Sequence, residues 1–306
     1  MTARPGRAPG MGELVGLWRR CLLVGPDDSR DTETEVTWLQ GDRAYVDLRR
    51  PVGTPGCFGV RGLRQLTISQ LLALAEQEGF AGWLEPAGGF FEWRRVVDLQ
   101  PPSKHPDAGS LRLQGQRRCD HGFLAPPAAV VPERDHRDHR HHMVEEGRDI
   151  PYVEHWRRGT DPVVPRASVH LRDPETGTDG FVVRVGATFM YARARSAELL
   201  PVGTRLRDAV RGATSLRVAQ DLLDCEVSLG RVDSRAWTVE RSSLPFKVGT
   251  PLAPEFLPGA GDRYRTADLT ADGTPTPRTW EIITAEGDLG ALDATRAPVR
   301  RPAQEC

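Results

Sequence analysis

Most of the chain consists of short segments in which apolar and polar residues alternate with a period of two. TEVTWLQ at 34–40, RAYVDLR at 43–49 and FFEWRRVVDLQ at 90–100 are examples, and clusters of Gly, Pro and Asp separate such segments. The same pattern returns later, from ASVHLRD at 167–173 to RTWEIITAEG at 278–287. Because alternate residues of a strand face opposite sides of a sheet, each segment can bury one face. The sequence therefore predicts a mainly β fold of antiparallel barrels or sandwiches, and a closed barrel offers room for a small molecule.

Breaks in the alternation predict the domain organisation. Segments rich in Gly, Pro, Arg and Ala at both ends predict disordered tails, and a stretch rich in Pro, His and Arg predicts an inserted loop or linker. The predicted units are a tail at 1–12, a first β-barrel at 13–116, the linker at 117–142, a second β-barrel at 143–285 and a tail at 286–306. Short helices are predicted within 66–79, which Thr67 or Ser69 can cap, and within 214–224.

Composition narrows the class of partner and the compartment. The net charge of the 306 residues is −1, which gives no bulk electrostatic reason to expect nucleic acid or an anionic membrane as partner. The chain contains no apolar run near the ~20 residues of a membrane span, and its beginning lacks the apolar core of a signal peptide. Five cysteines without a CxxC pair favour reduced thiols in a cytoplasmic protein. Arginine dominates the basic residues, with Lys104 and Lys247 the only lysines, and this usage predicts a GC-rich, actinobacterial genome.

The first predicted strand begins with Gly16-Leu17-Trp18. A Gly-x-Trp on the first strand of an up-and-down barrel resembles the calycin superfamily of lipocalins, fatty-acid-binding proteins and nitrobindins. The resemblance implies that Trp18 plugs one end of the barrel and that Gly16 permits close backbone approach. Chains with paired calycin-like barrels include carotenoid hydratases and lipocalin-like cyclases of specialised metabolism, so the two predicted halves resemble this two-barrel form. An ordinary β-sandwich is the alternative fold.

Candidate site residues follow from sorting the strands of the second predicted barrel by face. If the aromatic residues mark the interior faces, charged and hydroxyl-bearing residues accompany them into an apolar cavity, where buried charges need partners. The candidate catalytic residues are Glu154, Tyr191, Arg193 and Glu226, and the candidate ligand-binding residues are Tyr152, Trp156, Phe189 and Ser228. The reversed orientation would instead place the charges in water as cross-strand pairs. In the first half, Arg20, Asp47 and Arg95 predict a structural ion-pair network.

Histidines raise the question of a cofactor. His136, His139, His141 and His142 are close in sequence, but they lie in the predicted linker without a rigid scaffold, so we predict no metal site. Nitrobindin-like barrels hold haem through a single histidine, and this resemblance makes His155 and His170 candidate axial ligands. The main prediction is nevertheless that the protein has no cofactor.

Several enzyme classes are disfavoured because the sequence lacks the G-x-S-x-G, P-loop and G-x-G-x-x-G motifs. The preferred hypothesis is a protein that holds a mainly apolar small molecule with a polar end in a barrel cavity. The second is a cofactor-independent cyclase, isomerase or hydro-lyase, with Glu154, Glu226 and Tyr191 as acid–base groups and Arg193 holding an oxygen. The third is a haem-binding barrel. The sequence leaves the oligomeric state open.

Overall fold

The computed structural model describes residues 6–54, 59–114, 142–196, 201–234, 236–258 and 262–295. These residues form two antiparallel sheets, which confirms the mainly β prediction. The first sheet contains β1 (Gly16–Val24), β2 (Arg30–Asp31), β3 (Glu35–Gln40), β4 (Ala44–Arg50), β5 (Glu78–Ala87), β6 (Phe90–Asp98), β7 (Ala108–Gln114), β8 (His142–Gly147) and β9 (Val153–Arg158). The second contains β10 (Arg166–Arg172), β11 (Asp179–Val185), β12 (Thr188–Arg193), β13 (Glu226–Asp233), β14 (Ala236–Ser242), β15 (Glu255–Phe256), β16 (Arg263–Leu269) and β17 (Pro275–Gly287).

The helices are short. They are α1 (Met11–Leu14), α2 (Ile68–Leu74), α3 (Leu206–Arg211) and α4 (Leu216–Leu222), with 3₁₀ turns at Leu63–Gln65, Pro245–Lys247 and Leu289–Leu292. The Thr67 side chain accepts a hydrogen bond from Gln70 N at the start of α2, and that of Ser215 accepts one from Val218 N at the start of α4. Both predicted helices therefore exist. None of the described helices is long and apolar enough to cross a membrane.

The first sheet closes into an eight-stranded barrel, because β1 pairs with both β3 and β9. Trp18 is fully buried, and its indole N–H donates to Leu14 O over 2.6 Å. This bond and the burial of Leu14 hold α1 against the aromatic core of the barrel. Gly16 has a φ of +137°, and a Cβ there would lie 2.9 Å from Arg158 Nε. Trp18 is thus buried as predicted, whereas the atoms nearest Gly16 belong to the Arg158 side chain and not to a neighbouring backbone.

The second sheet is curled and forms a half-barrel. The irregular segment after β14 links its two ends: Leu252 N donates to Trp237 O over 2.9 Å, and Ala267 N donates to Leu252 O over 2.6 Å. The aromatic side chains of Phe189, Trp237 and Trp280 lie in its interior. Backbone bonds through an irregular segment thus take the place of the continuous strand pairing predicted for a second closed barrel.

The boundary between the two sheets differs from the predicted one. The strands β8 and β9 belong to the first barrel, although the alternation pattern assigned residues 143–158 to the second. The barrel closes where Trp18 of β1 lies opposite Arg158 of β9. A period of two determines which face a residue occupies but not which strand becomes its neighbour, so sequence alone could not assign these strands.

Both predicted tails are shorter than expected. Leu113 N donates to Arg7 O, and Leu292 is buried with its carbonyl accepting from the Tyr264 hydroxyl over 2.8 Å. A segment that is held by one buried leucine and a few backbone hydrogen bonds has the same composition as a disordered one. Composition therefore could not predict that these segments are ordered. Residues 1–5 and 296–306 lie outside the described residues, as does the predicted linker apart from His142, which begins β8.

The outer wall of the first barrel packs against one face of the second sheet in a shared hydrophobic core. Val46 and Val97 of the barrel belong to the same cluster as Phe181, Met190 and Val227 of the second sheet, and α2, α3 and α4 contribute to its edge. The two interiors described below therefore lie on opposite sides of one continuous core.

Candidate functional site

The interior of the first barrel has an aromatic part and a polar part. In each of β1, β4, β6 and β9, an aromatic residue and a charged residue lie two positions apart. Residues two apart in a strand face the same side of the sheet, so both side chains face inward. These pairs are Trp18 and Arg20, Tyr45 and Asp47, Trp93 and Arg95, and Trp156 and Glu154. The Trp38 ring lies 5.9 Å from that of Trp93 and 5.6 Å from that of Trp156, so tryptophans fill the aromatic part. The charged residues collect in the rest of the interior.

Glu154 lies at the centre of the polar part. Its Oε1 accepts from Arg20 over 2.8 Å and from Arg49 over 3.4 Å. Arg20 also binds Asp31 at 2.6 Å, and Arg49 binds Asp47 at 3.0 Å. The second oxygen of Glu154, Oε2, is buried without a hydrogen-bond partner among the described residues.

This interior also holds Glu145 and Asp47, and the pKa values of these two carboxylates are raised. Burial, reinforced by the charge of Glu154, raises the pKa of Glu145 well above its usual value, although Glu145 accepts from the Tyr152 hydroxyl at 2.6 Å and from Trp156 Nε1 at 3.1 Å. Burial also raises the pKa of Asp47 to about 6, against the opposing charge of Arg49. The interior thus holds more carboxylates than its arginines neutralise.

A cavity of about 350 Å³ lies at the mouth of this barrel. Its walls include Trp93, Arg95, Asp98, Asp107 and Tyr152. Arg95 binds Asp98 at 3.1 Å and Asp107 at 2.5 Å, and its guanidinium lies 3.6 Å from the centroid of the buried Phe80 ring. Arg95 therefore separates the cavity from the barrel interior. Burial raises the pKa of Asp98 to about 6, although Arg95 opposes the shift.

A second buried cluster lies inside the half-barrel around Lys247. Lys247 is 3% exposed, and its Nζ contacts Glu226 Oε2 at 2.9 Å and Asp268 Oδ1 at 2.5 Å. Asp268 Oδ2 contacts Arg278 at 2.8 Å and Arg193 at 3.6 Å. Burial alone would raise the pKa of Asp268, but these three cations outweigh it and hold that pKa well below its usual value. The fully buried charges of this cluster, two basic and two acidic, balance.

Two hydroxyl groups border the same cluster. Ser228 Oγ donates to Glu226 Oε1 over 2.7 Å. The Tyr191 hydroxyl is buried, and the part of the chain that the structure describes gives it no hydrogen-bond partner. Burial and the charges of Asp268 and Glu226 raise the pKa of Tyr191, so this hydroxyl stays protonated at neutral pH.

Comparisons with known proteins identify no activity. No family model and no curated protein matches the chain. It is similar to the solved structure of the uncharacterised protein YLR301w from Saccharomyces cerevisiae, with 14% identity, a TM-score of 0.42 and coverage of 89% of this chain and 98% of that one. It is also similar to a protein of unknown function from the DUF3598 family of Nostoc punctiforme, with 8% identity, a TM-score of 0.20 and coverage of 89% and 97%. The calycin resemblance therefore stays a prediction.

The structure divides the candidate site residues between the two interiors. Tyr191, Arg193, Glu226 and Ser228 do come together in the half-barrel, where the Phe189 ring packs 4.9 Å from that of Trp237. Glu154, Tyr152 and Trp156 lie in the first barrel instead, because β9 closes that barrel. The expectation that all four candidate catalytic residues meet is therefore not met, although each is buried as the interior-face prediction required.

Sequence reasoning missed Lys247 and Asp268. Lys247 lies in a 3₁₀ turn and Asp268 near the end of a strand not singled out, so no alternation pattern indicated them. The signal that could have found Lys247 is its rarity, since it is one of two lysines among many arginines. Arg20, Asp47 and Arg95 do lie in the first barrel, but each binds different partners rather than forming one three-membered network.

The candidate haem ligands differ in their surroundings. His170 Nε2 lies 2.8 Å from Asp179 Oδ1, and its ring stacks on Phe181 with centroids 4.6 Å apart. One ring nitrogen of His170 is thus paired with a carboxylate, and one face of its ring is covered by Phe181. His155 lies on the face of β9 opposite Glu154, outside the barrel interior. His136, His139 and His141 fall outside the described residues, within which no group of three potential ligands could hold a metal ion.

Proposed function

We propose that this protein binds a small organic molecule at the mouth of the first barrel. The observation that carries the proposal is the cavity of about 350 Å³, whose wall carries the partly buried charges of Arg95, Asp98 and Asp107. Its volume falls within the ~300–1,000 Å³ range of small-molecule sites. A closed barrel is also rigid, and a rigid wall holds such polar groups in place for a ligand.

The lining indicates which part of a ligand each wall would contact. Trp93, Ile150 and Tyr152 provide apolar and aromatic surface, whereas Arg95, Asp98 and Asp107 provide charge at the inner wall. A ligand with an apolar body and a polar end matches this division. Tryptophans already pack the deeper aromatic part, so the ligand would occupy the mouth rather than the centre of the barrel.

The proposal includes a calycin relationship of the two-barrel form and a cytoplasmic location. Gly16-Leu17-Trp18 on the first strand of a closed barrel supports the relationship. The free thiol of the buried Cys225 supports a reducing compartment. The near-zero net charge supports a small molecule as partner rather than nucleic acid or a membrane surface.

The second candidate function is a cofactor-independent cyclase, isomerase or hydro-lyase that uses the half-barrel. The protonated Tyr191 hydroxyl beside Glu226 favours it, because the two could donate and accept a proton. Lys247 and Arg193 already neutralise the carboxylates there, and all these side chains are almost completely buried. Binding at the first barrel is therefore the function we prefer.

A fragment screen with paired tryptophan variants tests the proposal. Ile150→Trp fills the cavity wall, and Ile283→Trp is its matched control on β17, because the two isoleucines are 50% and 49% exposed. We expect ligand-observed NMR to find fragments that bind the wild type and the Ile283→Trp variant but not the Ile150→Trp variant. Fragments that bind all three proteins equally, or an absence of any binding fragment, would contradict the proposal.

A further inference from the structure

At the mouth and in the polar part of the first barrel, negatively charged side chains outnumber positively charged ones. Three arginines face six carboxylates, and each of these side chains is no more than about a third exposed. The arginines are Arg20, Arg49 and Arg95, and the carboxylates are Asp31, Asp47, Asp98, Asp107, Glu145 and Glu154.

Two buried oxygens show that the polar groups of the barrel interior are incompletely paired. Glu154 Oε2 and the Tyr45 hydroxyl are both buried, and neither has a hydrogen-bond partner within the described ranges. Glu154 lies at the centre of the carboxylates, and the charges of Arg95, Asp107, Asp47 and Asp98 all act on the Tyr45 hydroxyl. Neither residue belongs to the cavity wall, but a buried oxygen without a partner is costly, so the polar part behind that wall is incompletely compensated.

Resting on the proposed function, we propose that the ligand is an organic cation, an amine attached to an apolar or aromatic body. An ammonium group brings the positive charge that this region lacks, and up to three N–H donors for the carboxylates of the cavity wall. Asp98 and Asp107 both line the cavity and share the single guanidinium of Arg95 there. Trp93 and Tyr152 add ring surfaces in the same wall, which attract cations.

The raised pKa values leave this excess in place at neutral pH. Asp47 and Asp98 have pKa values of about 6, so both are mainly ionised at pH 7. Even without Glu145, whose pKa burial raises well above its usual value, five carboxylates face three arginines. An anionic ligand would meet net negative charge, and a neutral ligand would leave it uncompensated.

Three probes that share a phenyl ring and differ in charge test the ligand class. They are 2-phenylethylamine, 2-phenylethanol and 3-phenylpropanoate, titrated calorimetrically into the full chain near neutral pH. We expect the amine to bind at least about tenfold more tightly than the other two. Equal or tighter binding of the alcohol or the carboxylate, or no binding of the amine, would overturn the inference. The proposed function is judged separately by the fragment screen.

One substitution and its control test whether the amine binds at the mouth of the barrel. Asp107→Asn removes a carboxylate of the cavity wall, and Asp208→Asn removes an exposed carboxylate on α3 as the control. We expect the first to weaken amine binding about fivefold or more and the second to leave it unchanged. Asp98→Asn serves in the same way if Asp107→Asn does not fold. Undiminished amine binding in the folded mouth variants would contradict the assignment.

Discussion

At the scale of single residues, the pKa of a buried carboxylate shifts in opposite directions in the two interiors. Asp47 in the barrel has a pKa raised to about 6 by burial, whereas three cations hold the pKa of Asp268 in the half-barrel low. The difference follows from how many cations contact each group: Asp47 binds Arg49, while Asp268 contacts Lys247, Arg193 and Arg278. Burial favours the protonated form unless enough positive charge opposes it.

The raised pKa of Asp47 predicts a pH dependence of stability. The native state binds the Asp47 proton more tightly than the unfolded chain, so the stabilisation it contributes is complete below pH 3.8 and is lost as pH rises to about 6. Asn does not titrate. The free energy of unfolding of the wild type relative to Asp47→Asn should therefore fall by about 3 kcal/mol across this window. Urea unfolding measured between about pH 4 and pH 7 checks this, and a constant difference would contradict it.

Removal of Arg193 tests the half-barrel cluster. Arg193→Met leaves Asp268 and Glu226 with less positive charge in a buried site, and we expect a loss of about 3–5 kcal/mol of stability. Arg231→Met, which breaks an exposed pair with Asp161, should change stability by less than about 1 kcal/mol. Adding Asp268→Asn to Arg193→Met restores the charge balance and should recover part of the loss. Denaturant unfolding of the four proteins measures these effects, and a near-neutral Arg193→Met would show that the cluster is solvated.

At the scale of elements, α1 depends on the barrel that it covers. This helix has four residues, which is too short to be stable alone, and the Trp18 indole bonds to Leu14 O at its end. Trp18→Phe keeps an aromatic ring but removes that bond, so we expect a loss of about 1 kcal/mol. Trp18→Ala also removes the ring and should cost about 3–5 kcal/mol. Thermal or urea unfolding checks both values, and a loss below about 1 kcal/mol for Trp18→Ala would show that the ring does not support the core.

The predicted helix at 66–79 shows how tertiary contacts set an element's end. It begins as predicted after Thr67, but α2 ends at Leu74 and β5 begins at Glu78. The apolar spacing of Leu71, Leu72 and Ala75 suits a longer helix, whereas Gly79 is needed in β5, where it lies against Val227 of the other sheet. Packing between sheets therefore overrode the local helical pattern.

At the scale of the whole molecule, the two sheets are joined by a tightly packed core. A Cβ at Gly79 would lie 2.9 Å from Val227 Cγ2, and a β-branched side chain has little freedom to move aside. Gly79→Ala should therefore destabilise the protein by about 1–3 kcal/mol. Gly12→Ala is the control, because a Cβ there meets nothing within 4 Å. Unfolding curves of both variants provide the measurement, and equal stability of the two would show that the sheets can separate without cost.

The sequence by itself determined the type of fold and, along each strand, which residues share a face. Alternation with a period of two is a local property, so it correctly predicted a mainly β chain. It left open whether the faces that carry Glu154, Tyr191, Arg193 and Glu226 point inward or into water, and the structure buries all four residues. Only the tertiary structure decided which of these residues meet. Strand pairing joins residues far apart in the chain: β9 closes the first barrel and removes Glu154 from the other three, while a 3₁₀ turn brings Lys247 to Glu226 and Asp268. A local pattern records which way a side chain faces, whereas the neighbour across the barrel depends on how the whole sheet closes.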